Sequence, residues 1–291
     1  MGRRKNKSIL RKGGSLLCIA VMIGLGGLIC LPVLILICGS FTDRIEWRER
    51  LLPLLTDSAE YIGWRWIPDY PTCENYKELL FLSPDFFVLF WNSVKLAVCI
   101  LVGQLLIGVP GAWAFSAYSF KGKDILFSIY IILMLLPFQT TMLAEYLVLD
   151  GIGLLNTMWA VILPAVFSTF PVFLVYRGFK RIPSELFEVA RIDGAGEWTI
   201  YVRIGMPLAD SSIMAAFIIS FFEVWNMVEE PLAFLKDMSI WPLSLYLPQI
   251  GLEQAGRVCA ASVITLILSF FMFGIFRDSL EQGIVSSALK G

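Results

Sequence analysis

The sequence predicts an all-α, polytopic membrane protein with six transmembrane helices. Three observations carry that expectation. Of 291 residues, 57% are hydrophobic and 16% charged, and the mean hydropathy is +0.75; a soluble domain averages about a quarter charged residues and under half apolar. Several apolar runs reach the roughly 20 residues that a helix needs to cross about 30 Å of hydrocarbon. Lysine and arginine lie mostly on one side of those runs, as the positive-inside rule requires.

The runs, in order, are about 15–39, 86–118, 124–147, 157–177, 212–235 and 258–277. The first follows MGRRKNKSILRK, a basic start like that of a signal peptide. It is about twice as long as a signal core and lacks a small-residue cleavage site, so it reads as a retained span after a tail over 1–14. The second exceeds what a span requires and should tilt or project. One side carries fifteen basic residues: six in the tail, then Lys121, Lys123, Arg177, Lys180, Arg181, Arg191, Arg203, Arg277 and Lys290. The other side carries seven: Arg44, Arg48, Arg50, Arg65, Lys77, Lys236 and Arg257. Both termini, including the tail over 278–291, are therefore expected in the cytoplasm. The loop over 40–85 is expected outside, with nine Asp/Glu against five Lys/Arg. Its WRWIPDYP stretch (64–71) has two readings: an ordered segment at the membrane interface, or a plain surface loop.

Composition also excludes chemistry. Histidine is absent, which removes the commonest general base and metal ligand. The six cysteines, Cys18, Cys30, Cys38, Cys73, Cys99 and Cys259, show no CxxC spacing or paired framework, so neither zinc nor disulfides are indicated. A net charge of −1 provides no field for nucleic acid. No catalytic group and no metal site is expected. The phosphate-binding pattern GxxxxGK[ST] is missing.

One connector is too long to be a plain link. About 34 residues, RGFKRIPSELFEVARIDGAGEWTIYVRIGMPLAD (178–211), join the fourth and fifth spans. Pro183 with Ser184 and Glu185 suits a helix start. Leu186, Val189 and Ala190 form a short apolar stripe, with Asp193 one turn further. Asp193-Gly194 stops the helix, since Gly accepts the left-handed conformation. A second helix over about Glu197–Ile204 is expected to end before Pro207. The result is a helix–turn–helix outside the membrane, suited to docking a partner.

Here the sequence resembles the EAA loop of ABC-importer permeases, whose pattern is EAA, three residues, G, nine residues, I-x-L-P. The matching residues are Glu188-Val189-Ala190, Gly194 and Ile204-Gly205-Met206-Pro207, with Val189 and Met206 as conservative departures. The longer stretch IPSELFEVARIDGAG is similar to the MalG-like carbohydrate-uptake branch. So are Asn92-Ser93, GAWAFSAYSFKGK (111–123), MLLP (134–137), GLLNT (153–157), FFEVWN with PLAFL (221–235) and the terminal ALKG. The resemblance covers about 80–291. It implies a permease subunit of a binding-protein-dependent importer, an inner-membrane protein of a prokaryote. The implied partners are an ATPase dimer, a companion permease in a heterodimer, a solute-binding protein and membrane lipid. ATP and magnesium would be used by the separate ATPase, and this chain would bind no cofactor and catalyse nothing. Glu185, Glu188, Val189, Ala190, Arg191, Asp193, Gly194 and Ala195 would form the coupling surface. For Glu188 and Asp193 the other reading is a solvated helix face.

Ionisable groups within spans mark a pathway or a structural pair. Lys95, Glu145, Glu223, Glu229 and Glu230 are such groups, and both readings stand for each. Adjacent residues on a helix point about 100° apart, so Glu229 and Glu230 cannot both face one seam. Asn92, Trp225 and Asn226 complete the candidate pathway; Trp225 could stack on a sugar or simply pack on a neighbour. The expected cargo is a sugar or oligosaccharide. The alternative is a non-sugar solute: a polyamine, an organophosphate or an amino-sugar derivative.

Overall fold

The computed structural model describes residues 2–55, 67–247, 251 and 254–288, with side chains over 18–53, 67–247, 251 and 254–278. Regular structure among them is helical: α1 Gly2–Ser40, α2 Arg44–Leu55, α3 Glu74–Lys77, α4 Pro84–Gly103, α5 Val109–Ala117, α6 Lys123–Leu135, α7 Phe138–Gly151 and α8 Trp159–Val166. Then follow α9 Thr169–Phe179, α10 Ser184–Ile192, α11 Glu197–Ile200, α12 Met206–Leu208, α13 Asp210–Trp225, α14 Glu229–Phe234, α15 Leu243–Tyr246 and α16 Ala255–Ala288. Four spans are single: Cys18–Ser40, Pro84–Ala117, Trp159–Phe179 and Ala255–Asp278. Two are bent pairs, Lys123–Leu135 with Phe138–Gly151 at 107° and Glu197–Leu208 with Asp210–Trp225 at 73°. Counting each pair once makes six, with Asp210–Trp225 the apolar arm of the second pair and Glu197–Leu208 its arm within the 178–211 connector.

Prolines explain the irregularities. The run expected as one helix over 124–147 breaks at Leu136-Pro137. Leu136 is extended (φ −76°, ψ 127°), as the residue before a proline prefers. Three π-helical turns occur among the described residues: Glu78–Leu82, Gln104–Gly108 and Tyr201–Gly205. Each ends two residues before a proline: Pro84, Pro110 and Pro207. A proline removes one backbone donor and needs room for its ring, and a widened turn supplies that room without ending the helix. The second helix of the 178–211 connector therefore does not stop before Pro207. It runs through a π turn into α12. The span expected over 212–235 ends at Trp225, and 226–228 separate it from α14.

The chain divides into two units, Met1–Leu82 with Ile250–Thr265, and Ser83–Gln249 with Leu266–Gly291. In the first, hydrogen bonds tie the end of α1 to the segment that follows it. The Asn75 amide donates to Ser40 O (3.0 Å) and Thr42 O (2.9 Å), and the Trp47 indole N–H donates to Gly39 O (2.9 Å). Arg257 pairs with Glu78 at 3.2 Å. Trp64, Arg65 and Trp66 of the WRWIPDYP stretch lie outside the described residues; Ile67 and Tyr70 after them are exposed.

In the second unit α9 packs against α5 and α13, and α4 against α8 and α13. Gly103 and Gly178 are among the glycines that permit close approach. A β-carbon on Gly103 would lie 2.5 Å from Val166, and one on Gly178 would lie 2.4 Å from Ser212. Near Gly103, the Gln104 amide donates to Ala165 O (2.9 Å), just ahead of the Phe167-Ser168 interruption between α8 and α9.

Candidate functional site

The first candidate surface is α10. Its start and stop follow the local chemistry: Pro183 precedes it, and Gly194 at φ +82° ends it. Gly194 N–H donates to Arg191 O (3.0 Å) and Ala195 N–H to Ala190 O (2.9 Å), the paired closure of a Schellman motif. Arg191 then spans the turn. Its Nε donates to Glu197 Oε1 (2.7 Å) and its terminal nitrogen to Oε2 (3.2 Å), while the Tyr118 hydroxyl donates to the same Oε2 (3.0 Å). The bond from Arg191 holds the Glu197 carboxyl below its usual range and raises the guanidinium in turn.

The apolar stripe read from the sequence divides between two faces. Ala190 is buried, together with Phe187, which the stripe omitted; Leu186, Val189 and Ile192 are exposed. The outward face therefore mixes exposed apolar side chains with the charged Glu185, Glu188 and Arg191. Of the eight predicted coupling residues, Glu185, Glu188, Val189, Asp193 and Gly194 face outward, Ala190 is buried and Ala195 half-buried. Arg191 is exposed but spoken for by Glu197.

The inward face rests on an aromatic cluster that the sequence reading missed. Trp113, in the middle of α5, packs edge to face with Phe179 (5.2 Å between ring centres) and Phe187 (5.1 Å), and tilted against Tyr201 (5.6 Å). Trp113 falls inside the GAWAFSAYSFKGK motif, but nothing in one sequence says which rings converge on it.

The second candidate is an open cavity of about 410 Å³. Its acids come from three helices: Glu145 of α7, Glu223 of α13 and Glu230 of α14. Thr141, Ser168 and Thr169 add hydroxyls. The break after Trp225 turns Glu230 toward the cavity with Glu223, although the two sit on different helices. Glu229 instead accepts from the Gln139 amide (2.7 Å), so the adjacent pair divides as helical geometry requires.

Besides Glu229, four predicted pathway residues lie outside the lining. Asn92 is buried, and its amide donates to Ser239 O (2.7 Å) and Trp241 O (3.2 Å). It is a fold clamp, because a buried amide must satisfy its donors. Trp225 is buried and stacks on Phe221 at 5.6 Å; packing is its role. Asn226 donates to Phe222 O at 2.9 Å, capping α13. Lys95 is exposed on α4, and no ion pair with an acid forms among the described residues.

Asn156 was legible only as part of a motif. It is left-handed at φ +58°, a conformation Asn tolerates better than most residues. Its Oδ1 accepts from Lys236 N and Asp237 N, both at 2.8 Å. Its own N–H donates to Phe234 O (2.9 Å). The GLLNT and PLAFL motifs are thus two halves of one contact.

Comparison with known proteins agrees with this architecture. The chain is 28% identical over 263 residues to the arabinooligosaccharides transport system permease protein AraQ of Halalkalibacterium halodurans, covering 89% of this chain and 91% of that protein. It is 30% identical to the lactose transport system permease protein LacG of Rhizobium radiobacter, over 71% of this chain and 77% of that one. Its fold matches a crystal structure of a bacterial ABC transporter involved in the import of the acidic polysaccharide alginate. That match has a TM-score of 0.78 at 19% identity, covering 92% of this chain and 96% of that one. Residues 104–285 match the family described as binding-protein-dependent transport system inner membrane component, and the chain belongs to that family of multi-pass membrane transport subunits.

Proposed function

We propose that this chain is a permease subunit of an ATP-driven importer for a sugar or oligosaccharide. The observation that carries the reading is the outward face of α10, where Glu185, Glu188, Val189 and Asp193 stand free of the fold. In this reading the face docks on one subunit of a separate ATPase dimer, which binds ATP and magnesium. Glu188 offers its carboxylate to a basic group there, a charge-assisted contact. The side bearing α10, like both termini, is cytoplasmic, supported by fifteen basic residues against seven.

The cavity is the proposed pathway wall. Its lining has three carboxyl groups and no Lys or Arg, which supports a neutral cargo over an acidic one, since like charge in a low-dielectric wall is repelled. The saccharide relatives AraQ and LacG support the same class. A companion permease would complete the wall, and exposed Lys95 supports that pairing. An ammonium on an apolar span face is costly against lipid and is normally covered or led to water. A solute-binding protein would deliver the cargo from outside.

The test is reconstitution with the ATPase, companion permease and binding protein. ATP hydrolysis should rise with a binding protein loaded from a panel of neutral oligosaccharides. A rise with polyamines or organophosphates and with no sugar would overturn the cargo. Glu188→Lys and Gly194→Asp should leave the chain inserted and assembled while uptake per ATP collapses. Normal uptake by both would overturn the role of α10.

A further inference from the structure

We propose that Trp113 is the joint through which movement of α10 reaches the spans, and that Gly205 is kept small to receive its ring. This rests on the coupling reading of α10 and adds what lies behind it. Three elements meet at the indole carried by α5. Phe187 comes from α10, Phe179 from the end of α9, and Tyr201 and Gly205 from the π turn leading to α12 and α13. Gly205 has no conformational need for glycine, since its φ is ordinary (−60°). Its need is space: a β-carbon there would lie 2.7 Å from Trp113 Cζ3 and 3.2 Å from Cε3, distances that force the ring to shift.

The ring is 4% exposed, and its indole N–H is buried without an acceptor. Buried Trp N–H groups usually find a partner. Here no directional bond fixes the ring's angle. Edge-to-face contacts hold it in place while tolerating small rotations, and close packing passes displacement from one neighbour to the next. A push on α10 therefore arrives at Trp113 through Phe187. It leaves through Phe179 to α9 and through Tyr201 and Gly205 to α13, the helix that carries Glu223 into the cavity. The π turn at Tyr201–Gly205 is the compliant element beside it, as such widened turns often are at functional sites. Trp113 touches neither cargo nor ATPase in this scheme; it is a positioning residue.

The experiment reads transmission directly. A single cysteine is placed in the cavity wall by Thr141→Cys, in a background without the six native cysteines, and the complete transporter is assembled in nanodiscs. The probe is a membrane-impermeant maleimide. The readout is the ratio of its labelling rates with and without ATP plus vanadate, alongside ATP hydrolysis and co-purification of the subunits. With Trp113 present the ratio should differ from one by about fivefold or more, the scale of ordinary coupling. Trp113→Phe should retain most of that change. Trp113→Leu should bring the ratio close to one while hydrolysis continues. Gly205→Ala should also collapse the ratio, and Trp113→Phe added to it should restore it, because phenylalanine lacks the outer ring edge that meets the new methyl. Such rescue is the non-additivity expected of a direct contact. If Gly205→Ala does not assemble, restored assembly in the double variant reports the same contact.

A full response in Trp113→Leu, or no rescue in the double variant, overturns the joint. Glu188→Lys separates this from the coupling reading. If it keeps a full response, α10 does not transmit at all. If it loses the response while Trp113→Leu keeps it, only the joint is wrong.

Discussion

Two segments of the second unit leave the span bundle and return to it, and different contacts dominate where each meets the buried core. The helix–turn–helix over 184–208 rests on aromatic faces: Phe187 and Tyr201 on Trp113, with Gly205 against the same ring. The return segment over 226–247 is tied by side-chain to backbone hydrogen bonds. Asn92 holds Ser239 and Trp241, Ser93 Oγ accepts from Leu243 N–H (2.8 Å), and Asn156 holds Lys236 and Asp237. Ser244 Oγ donates to Met227 O (2.6 Å) within the segment. Hydrogen bonds are directional and short in range, so the return segment is pinned at fixed register. Ring contacts fix no comparable register, and the coupling proposed above requires the helix–turn–helix to shift on them.

The comparison is most exposed at Asn92. Asn92→Ala removes a buried donor from two carbonyls and should destabilise by about 2–4 kcal/mol, since each stranded buried group costs about 1–3 kcal/mol. Thermal unfolding in detergent would show it; a change under about 0.5 kcal/mol would mean the segment is held some other way.

Asn156 sharpens the same side. Asn156→Ala loses the acceptor for two N–H groups and must hold a left-handed backbone, at a combined cost of about 2–3 kcal/mol. Asn156→Gly loses the acceptor but not the conformation, and should recover about 1 kcal/mol of that. Equal effects would remove backbone strain from the account.

In the helix–turn–helix, Gly194→Ala should cost about 1 kcal/mol, entirely from its positive φ. No atom lies within 4 Å of the added carbon, so Gly194→Asn should cost less. An Ala variant as stable as the parent would show that the turn relaxes.

The smallest effect is at Arg191 and Glu197. The pair is exposed, so its worth is below about 1 kcal/mol despite good geometry. Glu197 is held below its ordinary 4.5. The carboxylate's contribution is therefore complete above that value and is lost as pH falls through the lower folded value. Glu197→Gln should flatten this acid-side dependence without moving stability at neutral pH by more than about 1 kcal/mol.

Particular residues show how much was legible beforehand. The span order, the long connector and the Gly194 turn follow from local rules: length, proline and glycine each act through the backbone beside them. The π turns were missed because a proline at 110 or 207 announces trouble without saying whether the helix ends or widens. Packing around Trp113 decided the second case. Asn92 was open because a polar residue in a span has two explanations, and its amide bonds to carbonyls 147 and 149 residues away in sequence are not legible locally. The Glu229–Glu230 pair was half legible: helical geometry required them to separate, and the break after Trp225 decided which one turned inward.

By itself, then, the sequence determined six apolar runs long enough to cross a membrane and one connector that carries a helix and a glycine turn. Those properties depend on composition and on neighbours within about four residues. Tertiary structure alone decided that Glu145, Glu223 and Glu230 share a cavity and that Asn156 meets the segment after PLAFL. It also decided that one indole joins α10 to α9 and α13, because contacts between residues far apart in the chain arise only when the helices pack.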